Sequence, residues 1–326
     1  MIRFPGAAMQ DFSSGQTLGQ WGQAALAQHW QKIQKYDRKV LKDQDPEDLH
    51  QLRVGLRRLR TALVGFSPAL VLPSGITERR VGKMARILGV LRDNDVLREI
   101  LLSLGTLPEE EQGYLEDLLD YLGQKRKQAF KSVKKLLTQG DYEVFQDQFN
   151  AWLTAPALTV LADYPMTEVL PDLLLPRLAE FFLHPGWLVL RETNPHGTHG
   201  GPELSAESLE ASLEPWEKTL HNLRKAAKKA RYQLDLFTPC YSAEYGELIE
   251  RLKSVQDSLG DLQDYFVLRQ LLKKRLAADL ASQAPEFSTR LAGKRLAAWK
   301  QWQPQQAYFL DPHHRRHCRL LGLSPL

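Results

Sequence analysis

The residues with the clearest chemical potential form the segment His50-Gln51-Leu52-Arg53-Val54-Gly55-Leu56-Arg57-Arg58-Leu59-Arg60. At ~100° per residue, a helix places His50, Arg53, Arg57 and Arg60 in one sector. Leu52, Leu56, Leu59, Leu63 and Phe66 fall in the roughly opposite one. No Asp or Glu stands between Leu49 and Thr77, so nothing local neutralises the basic sector. Arg offers planar forks to phosphate oxygens, and Lys acts as a compact point charge. Protonated His donates through both ring nitrogens, and a nearby polyanion favours that form. The chemistry this predicts is capture of a polyanion.

The pattern returns at His221-Asn222-Leu223-Arg224-Lys225-Ala226-Ala227-Lys228-Lys229-Ala230-Arg231, and 221 − 50 = 171 positions separate the two His. The same offset pairs Arg53/Arg224, Arg57/Lys228, Arg58/Lys229, Arg60/Arg231, Phe66/Phe237 and Pro68/Pro239. It continues through Arg80/Arg251, Leu88/Leu259, Gly89/Gly260, Asp93/Asp264, Leu97/Leu268 and Arg98/Arg269. One register held over that span makes the chain two copies of one helical unit. Further on, Arg126-x-x-x-Phe130 answers Arg295-x-x-x-Trp299 two positions out of register. Arg126 lies in the stripe of Leu119, Leu122, Phe130, Val133 and Leu137, and an inward cation is costly unless an anion meets it. The candidate anion-binding set is therefore His50, Arg53, Arg57, Arg58, Arg60, Arg80, Arg126, His221, Arg224, Lys228, Lys229, Arg231, Arg251 and Arg295.

Helices must position these groups. Asp45-Pro46-Glu47-Asp48 combines a cap, a proline suited to the first helical position and acids at the positive end of the dipole. It launches a helix expected to reach Phe66 and stop at Ser67-Pro68. Further helices are expected over about 17–42, 77–104, 109–137, 142–153, 170–183, 215–237, 243–279 and 286–303, with Pro156, Pro165, Pro171 and Pro176 as interruptions. No useful strand alternation occurs, so the fold is expected to be all-α. Residues 1–16 read as a flexible tail, 17–190 as the first repeat, and 206–310 as the second. The Gly-, Pro- and His-bearing 191–205 reads as a linker, and 311–326 as a short irregular tail.

The chain has 326 residues, 43% of them hydrophobic, enough for a substantial core. Net charge is only +4, so anion binding must come from local clustering. Cys240 and Cys318 make neither a disulfide framework nor a zinc spacing, and a reducing cytosol is the expected compartment. Neither a signal peptide nor an apolar run of about 18 residues is found, so no membrane partner is expected.

Several alternatives compete. A lone basic stripe is ordinarily a solvated face; the in-register recurrence and the missing carboxylates count against that here. His50 and His221 have an alternative as core residues satisfied by carbonyls. Asp93 and Asp264 are read as salt-bridge partners that orient the cations, against a catalytic or metal-binding alternative. His196 and His199 sit in a Gly-rich loop, and His313, His314, His317 and Cys318 cluster near the end; zinc uses such residues, but no ordered element is expected to fix them. RNA or single-stranded DNA binding would add aromatic platforms, and Tyr232 is the one aromatic in the basic stripes. The phosphate-cradling loop, nucleophile elbow and zinc-protease His pair are all absent. The expectation is a site that binds rather than reacts, with no catalytic residue, metal or cofactor. A basic scaffold for an acidic protein is a further rival.

These motifs resemble the CHAD family, the conserved histidine α-helical domain. The resemblance rests on His50-x-x-Arg53-x-x-x-Arg57-Arg58-x-Arg60, on Leu88-Gly89-x-x-Arg92-Asp93-x-Asp95-Val96-Leu97, and on their second-half counterparts, over about 17–303. It implies two helical bundles related by a pseudo-twofold axis, with basic residues lining a central groove or pore. It also implies inorganic polyphosphate as the ligand and polyphosphate granules as the location. Glu-x-Glu-x-Lys, the motif of the triphosphate-tunnel domain attached in some members, is absent, which points to a stand-alone binder. A metal-dependent polyphosphate hydrolase using Asp93, Asp95 and Asp264 is the enzymatic alternative. The second copy departs from the first in Lys228, Lys229 and in Gln263 at the place of Arg92.

Overall fold

The computed structural model describes residues 16–191, 193–194, 197–198, 204–276 and 280–326. Its framework is all-helical, as expected. It comprises α1 (Leu18–Val40), α2 (Pro46–Gly65), α3 (Glu78–Leu102), α4 (Glu109–Thr138), α5 (Gly140–Thr154), α6 (Met166–Phe182), α7 (Ala206–Leu213), α8 (Glu217–Asp235), α9 (Ala243–Leu276), α10 (Leu280–Gln283), α11 (Pro285–Leu310) and α12 (Pro312–Leu323). Two short antiparallel ribbons accompany them, one pairing Leu70 with Leu158 and the other Thr193 with Thr198. Residues 1–15 of the expected tail, most of the 191–205 linker, and His196 and His199 lie outside the described residues.

Local chemistry sets most boundaries. Thr17 and Gln20 form a reciprocal capping box at α1. Asp45 accepts from the Glu47 amide at 2.8 Å and Pro46 opens α2. Thr77 accepts from the Arg80 amide at the start of α3. One cap is tertiary: Glu111, buried on α4, accepts from the Glu286 and Phe287 amides at 3.0 and 2.8 Å, neutralising the open end of α11.

Packing overrides the prolines. α6 begins at Met166 and runs through Pro171 and Pro176, because Leu170, Leu174, Leu178 and Phe181 hold one buried face. α11 likewise passes Pro304, beyond the expected end, and buries Trp302, Gln306 and Phe309. α7, absent from the sequence expectation, starts on a Ser205 cap and buries Leu209, Glu210 and Leu213.

The C-terminal segment corrects the expected irregular tail. Asp311 accepts from the His313 and His314 amides, Pro312 follows, and α12 buries Cys318 against the body. The Leu326 amide reaches the Cys240 carbonyl at 2.8 Å. Asp311-Pro312 is the same start signal as Asp45-Pro46.

α2 packs on α1 and α3, and α8 on α6 and α9; α3 pairs with α4, and α9 with α11. α2 also meets α8 directly, and Phe66 and Phe237, which share a register position, pack edge-to-face at 5.5 Å. Gly65 lies at this approach, where a Cβ would stand 2.6 Å from the side-chain Nε2 of Gln233. The main core spans both halves of the chain. A second, smaller core joins Leu101, Leu104, Leu115 and Leu118 to Leu268, Leu272 and Phe287 at the far ends of α3, α4, α9 and α11.

Candidate functional site

Burying Leu52, Leu56, Leu59 and Leu63 on α2, and Leu223, Ala227, Ala230 and Leu234 on α8, turns the basic sectors away from the core. Where the helices meet, Arg57, Arg60, Lys225, Lys228 and Lys229 line a cleft of about 510 Å³ with Arg177 from α6. Tyr232, Gln233, Thr61 and Val64 supply its less polar wall, and Glu78 its carboxylate. Arg177 and Lys225 were not among the sequence candidates. Lys225 adjoins Arg224 in the motif; Arg177 lies among the apolar residues of α6 and carries no such signal.

The cations near α2 and α8 act on one another. Burial pulls Lys228 down to about 8, and Arg224, Arg57 and Arg53 pull it the same way, against the weaker pull of Asp264. Arg53 is lowered by burial, and by Arg92 and Arg224, while Asp93 opposes. Arg57 is lowered by burial, and by Arg231, Arg53 and Arg58, with Tyr232 opposing. Positive charge has been gathered from two helices with little to cancel it. A charge of opposite sign would relieve such a cluster.

The acids nearby are few. Arg53 donates to the Gly89 carbonyl at 3.2 Å and stands 3.8 Å from Asp93, whose side chain is 74% exposed. Arg224 packs on Gly260, the register partner of Gly89, where a Cβ would lie 3.0 Å from a guanidinium nitrogen. Asp264 is raised to about 6 by burial, with Asp93 and Asp261 adding and Arg224 and Lys228 opposing. Both Asp register partners thus sit in the field of the cations. Among the described residues, no three His, Cys, Asp or Glu side chains are grouped to hold a metal ion.

The histidines flank the cluster. His50 is lowered by burial, and by Arg57, Arg92 and Arg53, although Glu47 raises it. His221 is lowered by burial and by Lys225, Arg224 and Lys228, with Gln263 acting the other way. Without an anion both favour the neutral imidazole, since a proton would add to an existing excess of charge.

Other candidates have partners elsewhere. Arg58 bonds Asp235 at 2.8 Å, Lys229 bonds Glu180 at 2.9 Å, and Arg60 pairs with Glu78. Arg80 donates to the Gly75 and Asp141 carbonyls and lies over Phe145, fastening α3 to α5. Arg251 lies over Tyr308, 4.0 Å from its centroid. Arg126 is held by Asp43 and Asp95 at 2.7 Å, and Arg295, only 2% exposed, by Glu210 and Glu217. The inward arginines do meet anions, but the chain supplies them. The structure therefore leaves Arg80, Arg126, Arg251 and Arg295 apart from the α2–α8 cluster, and brings together Arg53, Arg57, Arg224, Lys228 and Arg231, with His50 and His221 beside them.

The family described as CHAD domain matches residues 24–273 of this chain. Comparison with curated proteins gives no match. Among solved structures, the CHAD domain from the plant Ricinus communis is similar at 22% identity and a TM-score of 0.58, over 97% of this chain and 96% of that one. PptA from Streptomyces chartreusis is similar at 15% identity and a TM-score of 0.63, over 89% and 99%. At these identities the likeness is one of fold.

Proposed function

The chain belongs to the CHAD domain family, which is associated with polyphosphate, and from that premise we propose that it binds inorganic polyphosphate through the cations gathered between α2 and α8. The observation that carries this reading is the convergence of Arg57 from α2 with Lys225, Lys228 and Lys229 from α8 on one cleft, with Arg53 and Arg224 close enough to act on Lys228. A phosphate chain threaded past them replaces repulsion by charge-assisted hydrogen bonds. The two copies are read as related by a pseudo-twofold axis through the α2–α8 contact, with the cleft as part of a central basic groove. The Phe66–Phe237 contact and the matching seats of Arg53 by Gly89 and Arg224 by Gly260 support it.

We read the protein as a binder and not an enzyme, targeted to polyphosphate granules by this site. Chain-length analysis after incubation with Mg²⁺ or Mn²⁺ tests this, and orthophosphate release that disappears in Asp93→Asn would overturn it. No helix among the described residues is long and apolar enough to cross a membrane.

Nucleic acid is the rival ligand. Tyr232 is 5% exposed and lies beneath guanidinium groups, so it offers no face for a base to stack on. Calorimetric titration with polyphosphate of defined length is the test. The double variant Arg53→Ala/Arg224→Ala should lose on the order of 10²–10⁴ in affinity, at ~1.5–3 kcal/mol per charge-assisted contact. For about eight phosphate contacts, affinity should also fall ~10³–10⁵-fold between 50 and 200 mM salt, as it does for nucleic acids. Unchanged binding by the double variant sinks the site. Displacement by a short oligonucleotide at equal phosphate concentration sinks the specificity.

A further inference from the structure

We propose that Tyr232 is a positioning residue of this site: its ring fixes the Arg57 guanidinium of α2 and the Arg231 guanidinium of α8 where a phosphate chain meets them. This inference rests on the polyphosphate reading above.

The guanidinium carbons of Arg57 and Arg231 lie over the Tyr232 ring, 4.3 and 4.6 Å from its centroid. Tyr232 is itself buried and forms part of the cleft wall. Neither arginine has a carboxylate partner among the described residues, and the Nε of Arg57 is buried without a hydrogen-bond partner. Two long, like-charged side chains in that situation should swing apart into solvent. An aromatic face attracts both through its quadrupole, more strongly where water is excluded.

The choice of a ring rather than an acid matters chemically. Neighbouring cations of the α2 row are held by carboxylates, Arg60 by Glu78 and Arg58 by Asp235. A carboxylate orients a guanidinium but cancels the charge that an anionic ligand must find. A ring orients it and leaves the charge intact. The register positions show the exchange: Glu78 corresponds to Ile249, which removes the acid that would have held Arg231, and Thr61 corresponds to Tyr232, which adds the ring. Thr61 instead bonds the Arg57 carbonyl at 3.1 Å.

The Tyr232 hydroxyl is buried with no hydrogen-bond partner, so the role assigned to the residue needs the ring and not the oxygen. Two variants without a ring, Tyr232→Leu and Tyr232→Met, are therefore compared with Tyr232→Phe by calorimetric titration of the full chain with polyphosphate of defined length at several salt concentrations. Tyr232→Phe should bind within about twofold of wild type, while Leu and Met should each bind roughly tenfold more weakly. Their log-affinity against log-salt slope should also become shallower by about 0.7–0.9 for each phosphate that the cations no longer hold. In an Arg57→Ala background, Tyr232→Leu should cost less than it does alone, because one of its partners is already gone. Wild-type affinity and salt slope in both ringless variants would overturn the proposal. So would a loss in Tyr232→Phe as large as in Tyr232→Leu, which would assign the effect to the hydroxyl. Failure of the wild type to bind polyphosphate at all would instead remove the reading on which the proposal stands.

Discussion

α2 and α8 carry cations at the same register positions, with Lys228 and Lys229 in the places of Arg57 and Arg58, yet the two helices surround them differently. On α2, Arg60 pairs with Glu78, Arg58 with Asp235, and Arg53 leans toward Asp93. On α8, Arg231 lies over Tyr232, and Arg224 and Lys228 have no ion pair within 4 Å among the described residues, though Lys229 reaches Glu180. The inward arginines behave alike in spite of unrelated surroundings. Arg126 is enclosed by Asp43 and Asp95, and Arg295 by Glu210 and Glu217. Repetition thus preserved two distinct things: a buried cation that the chain neutralises itself, and an outward cation row left for something else. The second copy leaves more of that row uncompensated.

The buried pair offers the largest effect. Arg295→Met leaves Glu217 without its partner and Glu210 with Arg269 alone, both acids being 9% exposed, and should cost about 3–5 kcal/mol of stability. Arg126→Met, whose side chain is 26% exposed, should cost ~1–3 kcal/mol because water reaches the orphaned acids. Thermal unfolding measures both, and equal shifts in Tm would remove the burial difference as the reason. Polyphosphate affinity of the folded variants should stay near that of wild type.

The outward row should separate the two helices next. Arg224→Ala should weaken polyphosphate binding by roughly 10- to 150-fold, the equivalent of one charge-assisted contact. Arg60→Ala should cost less than about threefold, since Glu78 already holds that guanidinium. Equal losses in titration would erase the asymmetry between the copies.

Between pH 7 and 9 the pH response should come from Lys228 on α8. Lys228 is drawn down to about 8, whereas its counterpart on α2 is Arg57, which stays protonated throughout the working range. A bound polyanion favours the ammonium form, so binding takes up a proton near pH 8 and weakens as pH rises from 7 to 9. For one proton the limit is about tenfold per pH unit. The effect on folding has the opposite sign. The folded protein holds this proton less tightly than an unfolded chain, so the penalty from Lys228 is fully present below pH 8 and is relieved as pH rises from about 8 toward the ordinary lysine value of 10.5. Lys228→Arg should flatten the affinity profile between pH 7 and 9, and an unaltered slope would move the titration elsewhere.

The smallest effects lie at exposed pairs. Glu78→Gln frees Arg60, and Glu180→Gln frees Lys229. Each should strengthen polyphosphate binding by about two- to fivefold, in keeping with the modest worth of surface ion pairs. A decrease in either variant would mean that the carboxylate positions its cation for the ligand.

Much of this was legible in the residues. The Asp45-Pro46 start and the apolar periodicities are local properties, and they carried over directly into α2, α3, α8 and α9. α12 was equally legible, since Asp311-Pro312 repeats the same cap; the short, His- and Arg-rich run behind it hid the signal. α7 was harder to find. Eight residues with two buried leucines make a weak periodic signal, and the helix is anchored by Glu210, which reaches Arg269 and Arg295 far along the chain. The prolines of α6 and α11 break helices by local rules, and only the buried faces opposite them explain why the helices continue.

The amino-acid order alone determined the family, the helical class and the identity of the two basic rows, because periodicity, caps and a repeat act between near neighbours. It did not determine which cations remain available. Whether an arginine is spent on a carboxylate depends on residues such as Asp43, Glu78, Glu180, Glu210 and Asp235, which lie on other elements. Coulomb interactions act through space and not along the chain. Only the packing of α2 against α8 therefore separates Arg53, Arg57, Arg224, Lys228 and Arg231 from the arginines that hold the protein together.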